Sequence, residues 1–330
     1  MDHTQHPSQI APRHAEGNAD ADALDRRRFL TLAGATAAGA LVAGQSRPAV
    51  AQSPAWQQPG NNRHVLDLQQ QGGEASAEGA VTMDFFGHCA FRITSPGGFS
   101  LMVDPWRNDP SGAWGLWFPN EFPEVVVDAT LSTHTHFDHD ALYRPKSTMV
   151  LDRLVGEFRF ADVAITGLAD KHACQAPGWY NWTNAIAEFG QQACPPDNPG
   201  HMDMVMYVIE TGGVRTLIWG DNRPNPPEAV WDRIGRVDVL TLPIDGSEHI
   251  LSYEQGNAIV ERLKPKVVIP THYLCEGTTL TLSTLQTADD WVASQTNKTT
   301  LEKPRLVLHG EEIQAMDREF MYFQHQVAKA

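Results

Sequence analysis

Short apolar runs rich in β-branched residues recur along the chain, and several of them empty into a segment carrying histidine or aspartate. Residues 125–132 form the first such run, with the length and composition of a buried strand. The eight positions after it, 133–140, read THTHFDHD. Residues 162–168 are a second run, followed closely by His172. Residues 215–220 are a third and deliver Asp221 behind a glycine, which lets the backbone approach closely. Residues 266–271 are a fourth, closed by Pro270 and ending in His272. Residues 204–210 and 214–220 are predicted to pair as a hairpin about Thr211-Gly212-Gly213. One helix is legible: Ser252-Tyr253-Glu254-Gln255 has capping-box spacing before a stretch to Lys264, and Pro265 stops it.

The 133–140 segment packs three imidazoles and two carboxylates together. Neutral imidazole is the usual ligand for zinc and other borderline divalent ions, and a carboxylate adds charge balance and a proton relay. In extended chain His134 and His136 point to the same side. A catalytic ion needs further donors from elsewhere in the chain, since one loop cannot encircle it and leave a position open. Asp221, His272 and His172 are the candidates. His201 rivals His172, because the predicted hairpin brings the residues before its first strand beside Asp221.

The run His-x-His-x-Asp-His at 134–139, the later strand-end histidine, Gly220-Asp221 and Pro270-Thr271-His272 together resemble the metallo-β-lactamase-fold hydrolase superfamily. Residues 86–93 leading to 103–106, and residues 263–273, are similar to the branch containing ascorbate-6-phosphate lactonase and N-acylphosphatidylethanolamine phospholipase D. The likeness extends over about residues 81–315. It implies an α/β fold, a single-domain four-layer αββα sandwich, with one or two metals where the sheets meet. It also implies His134, His136 and a third histidine around one zinc ion. Asp138, His139 and His272 then surround a second, with Asp221 bridging both. His172 is preferred as the third histidine because it follows a strand in the expected order; His201 then contacts substrate or supports the ligands by hydrogen bonds. Asp138 would be the catalytic residue, orienting the nucleophile and moving its proton. Asp104 and His88 match flanking positions that orient the ligands by hydrogen bonds, although a turn-forming aspartate and a histidine satisfying local backbone read equally well. Zinc is the expected ion, two per chain, and the same donors suit iron or manganese.

The start of the chain carries a separate signal. Arg26-Arg27-Arg28-Phe29-Leu30 precedes a stretch rich in Gly and Ala, and Ala49-Val50-Ala51 offers a small-x-small cleavage site. Residues 1–51 therefore read as a twin-arginine signal peptide, residues 52–80 as an arm or linker, and residues 81–330 as the catalytic domain. The expected location is the periplasm or another exported compartment, and the twin-arginine export machinery is an expected partner. A net charge of −15 repels phosphate backbones and argues against action on long nucleic acid. A small-molecule substrate remains, with an ester, lactone, amide or phosphodiester as the bond cleaved. An iron-dependent oxidoreductase and a non-catalytic, metal-stabilised binding protein are the rival classes.

Two further features bear on the site. Of the four cysteines, Cys174 and Cys194 can staple the insert after His172, while Cys89 and Cys275 read as buried thiols that lie close to proposed ligands. Trp106, Trp114, Trp117 and Phe118, with Trp179, Tyr180, Trp182 and Phe189, read either as pocket walls or as core.

Overall fold

The computed structural model describes residues 79–112, 114–173, 204–281 and 283–329. The leader, the arm to residue 78, His201, Cys174, Cys194 and the aromatic residues 179–189 lie outside the described residues.

Two β-sheets carry the fold. The six-stranded sheet runs in the order β13 (Arg305–His309), β1 (Ala80–Phe85), β2 (Phe91–Thr94), β3 (Ser100–Val103), β4 (Val126–Ser132), β5 (Lys146–Asp152). The eight-stranded sheet runs β12 (Lys298–Thr300), β14 (Glu319–Tyr322), β11 (Val267–Thr271), β10 (Val239–Pro243), β9 (Val214–Ile218), β8 (Met204–Thr211), β7 (Val163–Asp170), β6 (Gly156–Phe160). Both sheets are mixed. β3 and β4 are parallel, as are β9, β10 and β11.

The main core draws on both sheets, from Met83, Phe91 and Leu131 on one side to Val208, Leu217 and Val268 on the other. Tyr207 ties them further, its hydroxyl donating to the Ser132 carbonyl at 2.8 Å. Along β3, Leu101 and Val103 face this core, whereas Met102 joins a second cluster with Trp106, Trp117 and Phe118. Successive strand residues point to opposite faces, so the second cluster covers the other side of the six-stranded sheet.

Helices pack on the eight-stranded sheet. α1 (Glu228–Ile234) sets Trp231 5.5 Å from Trp219, and α3 (Asp289–Ser294) sets Trp291 5.4 Å from Phe320. α2 (Tyr253–Leu263) brings Gly256 so close to the sheet that a Cβ there would lie 2.6 Å from Ile244 Cδ1. α4 (Gly310–Ala315) directly follows β13. The expected sandwich is therefore present, with loop-borne aromatic residues as well as helices in its outer layers.

Several local expectations hold. The capping box on α2 is formed, with Gln255 N donating to Ser252 Oγ and Ser252 N to Gln255 Oε1. The β8–β9 hairpin turns at Gly212 and Gly213, with φ of 57° and 72°, a conformation that favours glycine. Pro270 sits in β11 without breaking it. The pairing with β14 uses Val267 and Val268 only, so the missing N–H falls beyond that ladder.

Candidate metal centre

The candidate donors all lie just beyond the C-terminal ends of strands. β1 leads to His88, β3 to Asp104, β4 to His134, His136, Asp138 and His139, β7 to His172, β9 to Asp221, and β11 to His272. In sheets with parallel strands the carboxyl ends leave a crevice where ligands bind. Here both sheets open such ends towards one point.

One group comprises His134, His136, His172 and Asp221, whose donor atoms lie within 4.8 Å of one another. His134 Nδ1 pairs with Thr133 Oγ1 at 3.0 Å, and His172 Nδ1 with the Ala173 carbonyl at 2.6 Å. These contacts aim both Nε2 atoms at Asp221 Oδ2, 3.8 Å from His134 and 3.5 Å from His172. The β7 extension is pinned beside Asp221 by a bridge between His172 and Asn222 and by Ala173 N donating to Asp221 O at 2.8 Å. Gly220, at φ 57°, makes the turn that presents Asp221.

The second group comprises His88, Asp138, His139 and His272, again within 4.8 Å of one another. Asp221 Oδ2 reaches this group too, 3.2 Å from His272 Nε2 and 3.4 Å from His139 Nε2. Asp104 is the anchor of the loop. It accepts from Thr133 N at 2.7 Å and Thr133 Oγ1 at 2.8 Å, and it holds His139 Nδ1 at 3.0 Å. Fixing Nδ1 in this way leaves Nε2 for an ion. His88 meets Asp138 Oδ2 at 3.0 Å, and its carbonyl accepts from His272 N. His88, Asp104 and His272 all adopt left-handed backbone, with φ of 57°, 47° and 62°. Each such residue costs on the order of 1–3 kcal/mol, which surrounding structure must offset.

The two buried carboxylates call for positive charge, and without metal it falls on His139 and His272: burial works against it, but Asp221 and Asp138 hold both imidazoles well above the usual range. Burial works against ionising Asp138 and Asp221, yet facing histidines, His139 for Asp138 and His272 for Asp221, hold both carboxyls well below the ordinary range. Burial holds His134 well below the usual imidazole range and pushes His88 down to about 3, so both are neutral donors at neutral pH. Burial likewise pushes the Cys89 thiol up to about 12. His134 Nε2, His139 Nε2, His272 Nε2 and Asp221 Oδ1 are buried without a hydrogen bond. Each unsatisfied atom costs about 1–3 kcal/mol, and all four belong to the residues facing this one crevice. Divalent ions would satisfy the nitrogens and balance the two carboxylates, so the donor set fits a pair of metals.

The structure brings together His134, His136, Asp138, His139, His172, Asp221 and His272, with Asp104 behind them. It places His88 closer than expected, inside a donor group instead of satisfying only local backbone. Trp106, Trp117 and Phe118 are buried in the second cluster, and Trp106 also lines a cavity with Phe86, Asn120 and Thr278. Trp106 stacks on Phe118 at 4.3 Å, and Trp117 presents an edge to His88. Three residues escaped the sequence reading. Asp245 follows β10, holds His249 Nδ1 at 2.9 Å, accepts from Ser247 N, and lies 3.7 Å from His272 Nδ1. The signal was available, because the largely apolar run 239–244 is followed by aspartate as the run before Asp221 is.

Comparison with known proteins accords with this geometry. The β-lactamase superfamily domain matches residues 82–272, more than half of the chain. A UPF0173 metal-dependent hydrolase of Myxococcus xanthus is 29% identical over 217 residues, covering 62% of this chain and 76% of the relative. One from Thermus thermophilus is 28% identical over 208 residues, covering 58% and 84%. A crystal structure from Thermotoga maritima, described as a Zn-dependent hydrolase of the metallo-β-lactamase superfamily, superposes with a TM-score of 0.50 at 21% identity. It covers 73% of this chain and 98% of its own, and it shows the shared fold. The chain belongs to the metallo-β-lactamase superfamily, among its metal-dependent hydrolases.

Proposed function

We propose that the chain is an exported hydrolase that holds two zinc ions and opens a lactone, ester, amide or phosphodiester bond of a small molecule. The observation that carries this reading is Asp221, whose Oδ2 faces imidazoles of both donor groups. His134, His136 and His172 would hold one ion, Asp138, His139 and His272 the other, with Asp221 between them. Ions bound there supply Lewis acidity to a carbonyl or phosphoryl oxygen and acidify water.

The protein's own groups do the rest. Asp138 Oδ2 accepts the proton that an attacking water releases, and His88 Nε2, at 3.0 Å, holds that carboxylate in place. Asp104 and Thr133 keep the loop in register, so the donors do not reorganise during reaction. The similarity of residues 86–93 and 263–273 to the lactonase and phospholipase branch favours lactones and phosphodiesters. The Arg26-Arg27 motif supports the export part of this reading.

The test is a substrate screen of ester, lactone, amide, β-lactam and phosphodiester compounds on zinc-loaded protein, with His136→Ala and His272→Ala as controls. Turnover of at least one class that both variants abolish is expected. Full turnover and metal content in both variants would sink the assignment.

A further inference from the structure

Cys89 stands inside the metal centre. It follows His88 in the turn between β1 and β2, is buried, and is a free thiol. Its Sγ and donor atoms of His139 and Asp221 lie within 4.8 Å of one another. Those two partners are 0% and 2% exposed, and His139 Nε2 and Asp221 Oδ1 make no hydrogen bond. Because Asp104 fixes the other ring nitrogen of His139, that Nε2 cannot turn away to find another partner. The other described cysteine offers a contrast. Cys275 is also buried, but its Sγ donates to the Gln324 carbonyl at 3.3 Å. A buried cysteine by default packs as a small apolar side chain; Cys89 packs against donors.

We propose that Cys89 is a sulfur donor to this centre, binding beside His139 and Asp221, and that it selects a zinc- or cadmium-class ion over manganese or magnesium. The inference rests on the reading that the centre holds metal. Soft thiolate favours zinc and cadmium, whereas carboxylate and water alone suit manganese and magnesium. On binding, the S–H bond breaks, a sulfur–metal bond forms, and the proton leaves to solvent. No electron changes hands, and a coordinating thiol is deprotonated outright.

The test uses the full chain stripped of metal and reloaded with Co2+, which gives a thiolate-to-cobalt charge-transfer band only where sulfur binds. Wild type and Cys275→Ser are expected to show the band. Cys89→Ser and Cys89→Ala are expected to lose it while still binding cobalt. In the same variants Cd2+ affinity should fall by at least about 10-fold, and Mn2+ affinity should stay unchanged. Thermal unfolding of the metal-free variants checks that the fold survives, and the alanine variant serves if serine is not tolerated. Cobalt bound by wild type without the band overturns the assignment. So does a band persisting in Cys89→Ser, which would then arise from Cys174 or Cys194, and so does an equal fall for Cd2+ and Mn2+, which marks a packing defect. Failure of wild type to bind cobalt at all overturns the metal centre itself, and this assignment with it.

Discussion

Asp221 Oδ2 lies 3.2 Å from His272 Nε2, although their strands β9 and β11 are separated by β10. The contact exists because β9, β10 and β11 are parallel and end at the same edge. Strand-end residues two strands apart converge there, and Asp245, from the end of the strand between them, sits 3.7 Å from the other nitrogen of His272. His272 is thus held between two aspartates, one facing the crevice and one behind it.

The anchor of the 133–140 loop should matter more for metal binding than for folding. Asp104→Asn removes one carboxylate oxygen shared by Thr133 Oγ1 and His139 Nδ1. Metal affinity is expected to fall about 10- to 100-fold, with the far-ultraviolet circular dichroism unchanged. Competition with a chelator of known affinity checks it, and unchanged affinity would show that Asp104 only shapes a turn.

His172 and His201 should separate under mild chelation. His172 faces Asp221 Oδ2 at 3.5 Å from a backbone bridge that fixes its position. His172→Ala is expected to lose a metal, whereas His201→Ala keeps both and changes turnover or substrate preference. Released metal, followed during chelator titration, is the readout. Loss from His201→Ala alone would reverse the two roles.

Stability in acid should depend on Asp84. This residue is flanked by register partners on both neighbouring strands, Arg92 on β2 and Arg305 on β13. Burial alone would raise its carboxyl, but hydrogen bonds from Arg305 and then Arg92 outweigh that and hold it below the ordinary value of 3.8. A depressed carboxylate contributes stability that is complete above its unfolded value and is lost as pH falls through the folded one. Asp84→Asn is expected to cost about 1–2 kcal/mol at pH 7, a range discounted for the solvent exposure of Arg305. The difference from wild type should shrink towards zero below pH 3.8. Urea unfolding at several pH values measures it, and a pH-independent difference would contradict the ion-pair account.

Export should require the guanidinium pair at residues 26 and 27. Arg26→Lys with Arg27→Lys keeps the charge but not the fixed fork of donors. The double variant is expected to stay in the cytoplasm with its leader uncleaved; normal periplasmic accumulation would exclude this signal.

Four of the strands that deliver donors were legible because each is a short β-branched run with a chemical residue just past its end. Residues 125–132, 162–168, 215–220 and 266–271 all correspond to observed strands within about two residues. The α2 boundaries were legible because both caps are written in local sequence. His88 was harder to place. Its proximity to Asp138 depends on a turn between β1 and β2 meeting a loop fifty residues later, and no local pattern encodes that distance. The aromatic residues 106–118 were ambiguous for a related reason. Tryptophan near a site packs equally well as wall or as core, and only the three-dimensional position of Met102 on the outer face of β3 decides it.

The central claim is that two ions share Asp221. The most direct measurement is anomalous diffraction from crystals of zinc-loaded protein, paired with metal quantification of the same sample. Two zinc ions per chain are expected, one against His134, His136 and His172, the other against Asp138, His139 and His272, with Asp221 contacting both. A single ion that leaves Asp221 uncoordinated, or zinc bound away from these residues, would contradict it.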